Sequence, residues 1–316
     1  MSVFENVINE ANKKNEVNNV PPESVEVADE GEGKKSFPER MAEKKNQCYA
    51  MIDDACLNAV SSIESLRQFL NVQSRFDKYS LNNALLIFEQ KPDAVKLKEL
   101  AAWNKEDISV KKGAKSIMIL EPSPYKGTDG KMHRGYNAKH VFDIADVEAP
   151  EDALPQPKSY EQKQLVAALV HDAPVPVCKA EKSLGEHNAI YDAKNKVVYF
   201  KAGLEFDAIF PALAKALAHA EMAKDVENYR IGEHEFAARC SAYVISQRYG
   251  VDTRTVDVYG IPQNIETMEA EDVKKVLGDV HSNVKTITAR MIESLEQTQT
   301  KEQQNPNKGS KNREER

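Results

Sequence analysis

The residues best suited to chemistry lie in a segment where cations and aromatic rings are interleaved. Its cations are Arg75, Lys78, Lys91, Lys96, Lys98, Lys105, Lys111, Lys112 and Lys115, and its rings are Phe76, Tyr79, Phe88 and Trp103. Cations can follow phosphates while aromatic faces stack on bases, a contact worth about 1–3 kcal/mol per base. The combination is typical of a single-strand interface. Core packing explains Phe76 and Phe88 better, and it explains Tyr79 and Trp103 equally well.

The run VKKGAK carries the most suggestive lysines of this segment. Lys111, Lys112 and Lys115 surround Gly113, which has no Cβ and lets a phosphate approach the backbone closely. A solvated turn has the same local composition. We take these three lysines as the strongest phosphate contacts.

Composition and motif searches narrow the classes of function. The 316-residue chain has a formal net charge of −7, yet the segment 61–145 holds 14 Lys and Arg against 10 Asp and Glu. One basic module therefore sits in an acidic chain. No GxxxxGK[ST], GxSxG or GxGxxG pattern occurs, so phosphate-loop, serine-hydrolase and dinucleotide chemistry have no support.

The four cysteines include no CxxC pair, which favours reduced thiols. The N-terminus lacks the basic-then-apolar pattern of a signal peptide, and the longest apolar runs are too short to cross a bilayer. We expect a cytoplasmic protein without membrane contact.

The elements that position the basic segment read as helices followed by strands. Residues 39–72 have helical periodicity, and Ser80 is a plausible N-cap for LNNALLIFEQ, which ends at Lys91–Pro92. After Gly113, the runs SIMILEP, YKGTDGKMHRGY and AKHVFDI have the pattern of strands joined by a tight turn.

The proline-rich stretch 148–158 reads as a linker between two modules. The second module has a helix near 160–170, a strand pair in NAIYDAKNKVVYF, and helices near 205–223, 233–249 and 268–296. We predict an α+β protein with two domains, 39–147 and 159–298. Polar tails, 1–38 and 299–316, are expected to be disordered.

The last helix carries an apolar stripe with steps of three and four residues. Its members are Val273, Leu277, Val280, Val284, Ile287 and Met291. The stripe either packs on the body of its own module or forms an interface with a second copy or a partner.

Three ordered runs, FLNVQSRFDKYSLNNALLIFEQKPDAVKLKELAAWNK, VKKGAKSIMILEP and AKHVFDIADV, together resemble a known family. They are similar to the N-terminal single-stranded-DNA-binding domain of ArdC-type antirestriction proteins and LtrC-like proteins of conjugative elements. The resemblance covers about residues 66–147 and implies single-stranded DNA binding in a mobile-element setting. The positions that match its signature are Tyr79, Ser80, Asn82, Asn83, Gln90, Pro92, Trp103, Lys112 and Gly113.

The matched residues divide by physical role. Asn82 and Asn83 lie at a helix N-terminus, where they can hold a loop or meet a sugar-phosphate, and we favour the loop. Gln90 and Pro92 fix the helix exit. The predicted nucleic-acid contacts are Arg75, Tyr79, Asn82, Asn83, Trp103, Lys111, Lys112 and Lys115.

The resemblance also implies a zincin-like metallopeptidase domain in the second half, with an H-E-x-x-H helix and a later Glu ligand. The corresponding helix here reads Lys215-Ala216-Leu217-Ala218-His219. Lys215 replaces an imidazole ligand with a cation, and Ala216 removes the carboxylate that would accept a proton from metal-bound water. The sequence therefore predicts a degenerate, non-catalytic domain without a cofactor.

Glu235 aligns with the third ligand position, so His219 and Glu235 are the vestigial metal candidates. Glu235 is also four residues before Arg239, the favourable order for an ion pair within a helix. Two alternatives remain open at this point: a zinc peptidase with an atypical site, and an interaction module that binds a protein partner but no DNA.

Overall fold

The computed structural model describes residues 36–304 except 151–152, 157–158, 255, 257, 259–264 and 266–267. Most of the two predicted tails, 1–35 and 305–316, lies outside the described residues. The described helices are α1 (Phe37–Val60), α2 (Ile63–Arg75), α3 (Leu81–Gln90), α4 (Leu100–Asn104), α5 (Gln162–Val170), α6 (Phe206–Met222), α7 (Ile231–Arg248) and α8 (Ala270–Gln304). The strands are β1 (Leu97–Lys98), β2 (Ile117–Pro122), β3 (Tyr125–Lys126), β4 (Met132–His133), β5 (Tyr136–Asp143), β6 (Val177–Lys179), β7 (Ala189–Asp192) and β8 (Val197–Phe200).

Serine caps set the boundaries of the early helices. Ser80 Oγ accepts a hydrogen bond from Asn83 N at 3.3 Å, which confirms the predicted start of α3. Ser62 Oγ accepts in the same way from Ser65 N at 3.1 Å and starts α2. The single helix expected over 39–72 is therefore wrong, because Ser61–Ser62 divide it into α1 and α2. At the other end, α8 runs to Gln304, beyond the end of the helix predicted near 268–296.

Two small sheets accompany the helices, and the α+β class is confirmed. The first has the order β1–β5–β2 and is antiparallel, with Ile117 opposite Val141 and Pro122 opposite Tyr136. Strands β3 and β4 form a separate hairpin between β2 and β5. The second sheet has the order β6–β8–β7, so β7 lies at its edge.

Among the described residues, those from Arg40 onwards form one compact unit, and those up to Glu39 belong to another. In the latter, Ser36 N donates a hydrogen bond to Glu39 Oε2 at 2.7 Å. One hydrophobic cluster in the larger unit includes buried residues of both predicted modules, and Tyr243 Oη of α7 donates to Asn71 Oδ1 of α2 at 3.1 Å. The two segments thus share a core, while the domain boundary at 148–158 stays a prediction.

The stripe on α8 belongs to this shared core. Val273, Leu277, Val280, Ile287 and Met291 have no exposed surface, and Val284 is 4% exposed. The helix packs against α5, α6 and α7. The stripe is therefore filled within the chain, and the alternative of an interface with a second copy or a partner is wrong for this face.

Candidate nucleic-acid interface and the vestigial metal position

A groove of about 540 Å³ opens over the first sheet, beside the N-terminus of α3. We call it the sheet groove. Its aromatic lining is Tyr79 and Tyr136, and its cations are Lys78, Lys98 and Lys139. Tyr136 is 38% exposed at the start of β5, and Tyr79 is half-buried with its ring edge-on to Phe76. The groove therefore offers two rings and three cations on one surface.

Two glutamates that line the sheet groove form ion pairs with the same lysine, Lys139. Lys139 Nζ lies 2.6 Å from Glu99 Oε1 and 2.7 Å from Glu121 Oε1. The hydrogen bonds that Lys139 donates to Glu121 and Glu99 raise its pKa. Lys98 Nζ pairs with Glu106 and lies 4.7 Å from the centre of the Trp103 ring, a cation–π distance. Lys78 is exposed and has no hydrogen bond or ion pair with any described residue.

Trp103 is fully buried, which corrects its prediction as a stacking residue. It forms a small core with Ile108, Ile144 and Val147, and its indole N–H donates to Phe142 O at 3.1 Å. No ring face is left for a base in this arrangement. Of the two rings that the sequence left open between core and interface, only Tyr79 reaches a groove.

Asn83 is also buried, and its amide is committed to the backbone of β2. Its Nδ2 donates to Leu120 O at 2.9 Å while its Oδ1 accepts from Leu120 N at 2.8 Å. Gln90 makes the same reciprocal pair with Met118, at 2.9 and 2.8 Å. The two amides lie two turns apart on one face of α3 and complete the edge of β2, as a neighbouring strand would. Asn83 therefore has a structural role that uses both ends of its amide, while its contact with nucleic acid stays a prediction.

Arg75 is exposed, and part of its guanidinium is bonded to the backbone. Its Nε donates to Ala94 O at 2.9 Å, and a terminal nitrogen donates to Pro92 O. Both carbonyls belong to the loop after α3, so the guanidinium fixes that loop, and the predicted phosphate contact stays a prediction. Asn82 is half-buried in the first turn of α3, with no side-chain hydrogen bond in the described part of the chain.

The lysines of the VKKGAK run lie away from the sheet groove. Lys115 lines a second groove of about 400 Å³ together with Gln90, Lys91 and Asp146, at the C-terminal end of α3. Since α3 has ten residues, about 15 Å separates its ends. Lys111 Nζ donates to Ala145 O at 3.0 Å, whereas Lys112 and Lys115 are exposed without a described partner. The predicted site is thus divided between two surfaces.

The β3–β4 hairpin is a functional candidate that the sequence analysis passed over. Tyr125 and Met132 are 57% and 67% exposed, and the Tyr125 ring stacks on His133 at 5.6 Å. Lys126, Lys131 and Arg134 are exposed around them. Tyr136 was missed as well. The sequence signal for both was a tyrosine next to a basic residue on each side of the Gly127–Gly130 turn: Tyr125 precedes Lys126, and Tyr136 closely follows Arg134.

We call the surroundings of His219 and Glu235 the vestigial metal position. Lys215 stands there where the H-E-x-x-H pattern has its first histidine. Lys215 Nζ donates to Glu235 Oε1 at 3.0 Å, and Arg239 Nε donates to the same oxygen at 2.8 Å. His219 Nε2 lies 2.9 Å from Glu235 Oε2, and its Nδ1 lies 2.7 Å from Tyr229 Oη. Hydrogen bonds from His219, Arg239 and Lys215 lower the pKa of Glu235 far below its usual range, against the opposing effect of burial.

These residues do not fit a metal ion. Because the Glu235 carboxylate can only accept, His219 donates from Nε2, so no lone pair on Nε2 is left for a ligand bond. A catalytic zinc needs three protein ligands, whereas the described residues contain no group of three or more His, Cys, Asp or Glu side chains able to hold one. His219 and Glu235, the two metal candidates from the sequence, are hydrogen-bonded to each other, and Glu235 is also paired with Lys215 and Arg239.

A cleft of about 490 Å³ remains beside this cluster, between the edge strand β7 and the helices α6 and α7. Lys215, Glu235 and Arg239 form part of its lining. His234 lies flat against Tyr229, with ring centres 4.6 Å apart, and is not among the cleft residues.

In the described part of the chain, no helix combines the length and apolar character needed to cross a membrane.

Comparison with known proteins gives similarity at the level of fold. No protein-family model and no curated protein matches the chain. Two solved structures of the antirestriction protein ArdC from plasmid R388, one metal-free and one with Mn(II) bound, match with TM-scores of 0.53. Identities are 11% and 12%, and each match covers 78% of this chain and 98% of ArdC. The resemblance to ArdC that the sequence predicted is confirmed as a resemblance of fold.

Proposed function

We propose that the chain binds single-stranded DNA in the sheet groove and serves a mobile element as an antirestriction protein. The observation that carries the proposal is that Tyr79 and Tyr136 open on one groove beside three lysines. Aromatic rings next to cations allow bases to stack while phosphates are bound, and such binding does not depend on the base sequence of the DNA. The fold similarity to a plasmid antirestriction protein supports the biological setting, and the cytoplasmic location expected from the sequence belongs to the same proposal.

The hairpin extends this surface. The chain leads from the groove residue Pro122 directly into β3 and returns from β4 to the groove residue Tyr136. The exposed cations on the hairpin, Lys126, Lys131 and Arg134, can therefore follow a strand that leaves the groove. In this proposal the lysines at the other end of α3 have a secondary role.

We propose a non-catalytic role for the second half of the chain. The group that would activate water is missing at Ala216, and the cation of Lys215 fills the ligand position. The zinc-peptidase alternative therefore lacks both metal ligation and a general base. A protein partner remains a second candidate for this half, and the cleft beside Lys215 is where we would place it.

Fluorescence anisotropy with a labelled oligothymidylate tests the DNA proposal. We expect binding at low salt that weakens as salt rises, because phosphate contacts release counterions. Replacement Tyr136→Ala should raise Kd by about 5–150-fold, the equivalent of one stacked base at about 1–3 kcal/mol.

Tyr49→Ala is the matched control, because Tyr49 on α1 is 37% exposed and Tyr136 is 38% exposed. The control should leave Kd unchanged. A wild-type protein that fails to bind at low salt would defeat the proposal. An equal rise in Kd in the two variants would show that the DNA does not bind in the sheet groove. Triple replacement of Lys111, Lys112 and Lys115 by Ala should weaken binding less than Tyr136→Ala does.

A further inference from the structure

The sheet groove carries two carboxylates, although a DNA strand is a polyanion. Glu99 and Glu121 both line the groove and both form ion pairs with Lys139. Glu121 and Lys139 are diagonal neighbours on one face of the first sheet, because Ile119 is the residue directly opposite Lys139. The two glutamate side chains are 47% and 52% exposed, against 25% for the lysine. The carboxylates are therefore the part of this cluster that is most open to a ligand.

A phosphate is better placed elsewhere in the groove than at this cluster. One ammonium and two carboxylates together carry a net negative charge, which repels an anion. Lys78 lines the same groove, is exposed and has no ion pair with any described residue. Lys78 therefore attracts a phosphate, whereas the cluster of Glu99, Lys139 and Glu121 matches an uncharged part of the strand, a base.

The cluster keeps hydrogen-bonding capacity beyond its own ion pairs. An ammonium has three N–H donors, and Lys139 directs two of them to the glutamates. A carboxylate has two oxygens with about four lone pairs, and each glutamate meets Lys139 through Oε1. Glu99 is the N-cap residue of α4, yet its side chain makes no capping hydrogen bond. One donor of Lys139 and most of the acceptor capacity of Glu99 are therefore open to a base.

Glu99 also lies close to an aromatic ring of the groove. Burial and the negative charge of Glu99 both raise the pKa of the Tyr79 hydroxyl. Tyr79 lines the groove together with Glu99 and Lys139. A base that stacks on Tyr79 can therefore direct its edge to the carboxylate and the ammonium.

We infer that the sheet groove prefers a DNA strand that carries guanine, an inference that rests on the proposed function. The Watson–Crick edge of guanine presents O6, which accepts, followed by N1–H and the 2-amino group, which donate. Lys139 donates to O6, while the two oxygens of Glu99 accept from N1–H and from the amino group in a bidentate contact with a charged acceptor. Two side chains that are already adjacent thus satisfy all three positions of this edge.

No other DNA base matches this pair of side chains. Thymine presents one donor between two acceptors, cytosine presents one donor next to two acceptors, and adenine presents one donor and one acceptor. Each of these bases gives the Glu99 carboxylate a single hydrogen bond and leaves its second oxygen without a donor. Stacking and phosphate contacts tolerate any base, so the preference comes from the edge contact alone.

Anisotropy titrations with two oligothymidylates, one of which carries a single central guanine, test this inference. We expect the guanine strand to bind about 5–150-fold more tightly at the same salt concentration. Hypoxanthine in place of guanine should abolish most of this gain, because it lacks the 2-amino group and keeps the ring for stacking. The free nucleotide dGMP should bind much more weakly than the guanine strand, because it lacks the neighbouring phosphates. An equal affinity for dGMP would overturn a DNA strand as the source of the base.

The ratio of the affinities for the two strands is the readout for variants, because a general change in DNA affinity cancels. Glu99→Gln should bring this ratio close to unity, since an amide accepts at one atom only. Glu121→Gln is the matched control, because it removes the same charge from the same lysine, and it should keep the preference. A preference that survives in Glu99→Gln, or an equal loss in both variants, would overturn the inference.

Failure of this inference and failure of the proposed function give different results. Equal binding of the guanine and hypoxanthine strands, or of both strands and plain oligothymidylate, by the wild type would overturn the preference and leave DNA binding intact. Absence of binding to any strand at low salt would defeat the proposed function and the inference together.

Discussion

The carboxylate of Glu235 should stabilise the fold much more than a neighbouring surface carboxylate does. Its side chain is 26% exposed and accepts from His219, Lys215 and Arg239. The variant Glu235→Gln keeps the shape, removes the charge and turns one acceptor into a donor that faces the existing donors. Hydrogen bonds to charged groups contribute about 1.5–3 kcal/mol each, and partial exposure reduces that value, so we expect a loss of about 2–4 kcal/mol.

Glu233→Gln is the matched control, two residues away on the same helix. Glu233 pairs with Arg230 at 3.1 Å, but these side chains are 62% and 77% exposed. Exposed pairs contribute little, so the control should stay within about 0.5 kcal/mol of the wild type. Urea denaturation, with an unchanged m-value, measures both losses. Equal losses in the two variants would refute the reasoning.

The pH dependence supplies a second check on Glu235. Its folded-state pKa is lowered, so its contribution is fully present above the unfolded-state value of about 4.3 and declines as the pH falls below that value. The stability gap between wild type and Glu235→Gln should therefore be constant from about pH 5 to 7 and should shrink below about pH 4. A gap that grows on acidification would contradict the assignment.

Two further predictions follow from the ion pairs. Lys215→His should create three metal ligands together with His219 and Glu235, so zinc should raise the Tm of this variant and not that of the wild type; a zinc response of equal size in the wild type would contradict our description of the cluster. Replacing Glu99 and Glu121 by Gln should free Lys139 of the sheet groove and tighten DNA binding at low salt at least threefold, as measured by anisotropy. An unchanged Kd would show that phosphates do not enter the groove.

The local features of this protein were readable from its sequence. Ser80 caps α3, the stripe on α8 repeats with helical spacing, and strands form in the apolar runs after Gly113 as predicted. Each signal depends on residues within a few positions of one another, and backbone geometry translates such spacing directly into helices or strands. The presence of Lys215 and Ala216 where the resemblance implies a histidine and a glutamate was equally readable, because it depends on residue identity alone.

The environment of each side chain was decided by contacts between residues far apart in the chain. Trp103 is buried by residues some forty positions later, and Lys215 meets Glu235 from another helix. Arg248 of α7 donates to the backbone carbonyls of Gln73 and Ser74 in α2, some 175 positions earlier. Exposure and the balance of charge arise when separate elements pack, so neither can be read from one segment. The sequence by itself determined most of the elements and the residue types at positions 215 and 216, and tertiary packing alone decided which cations and rings a ligand can reach.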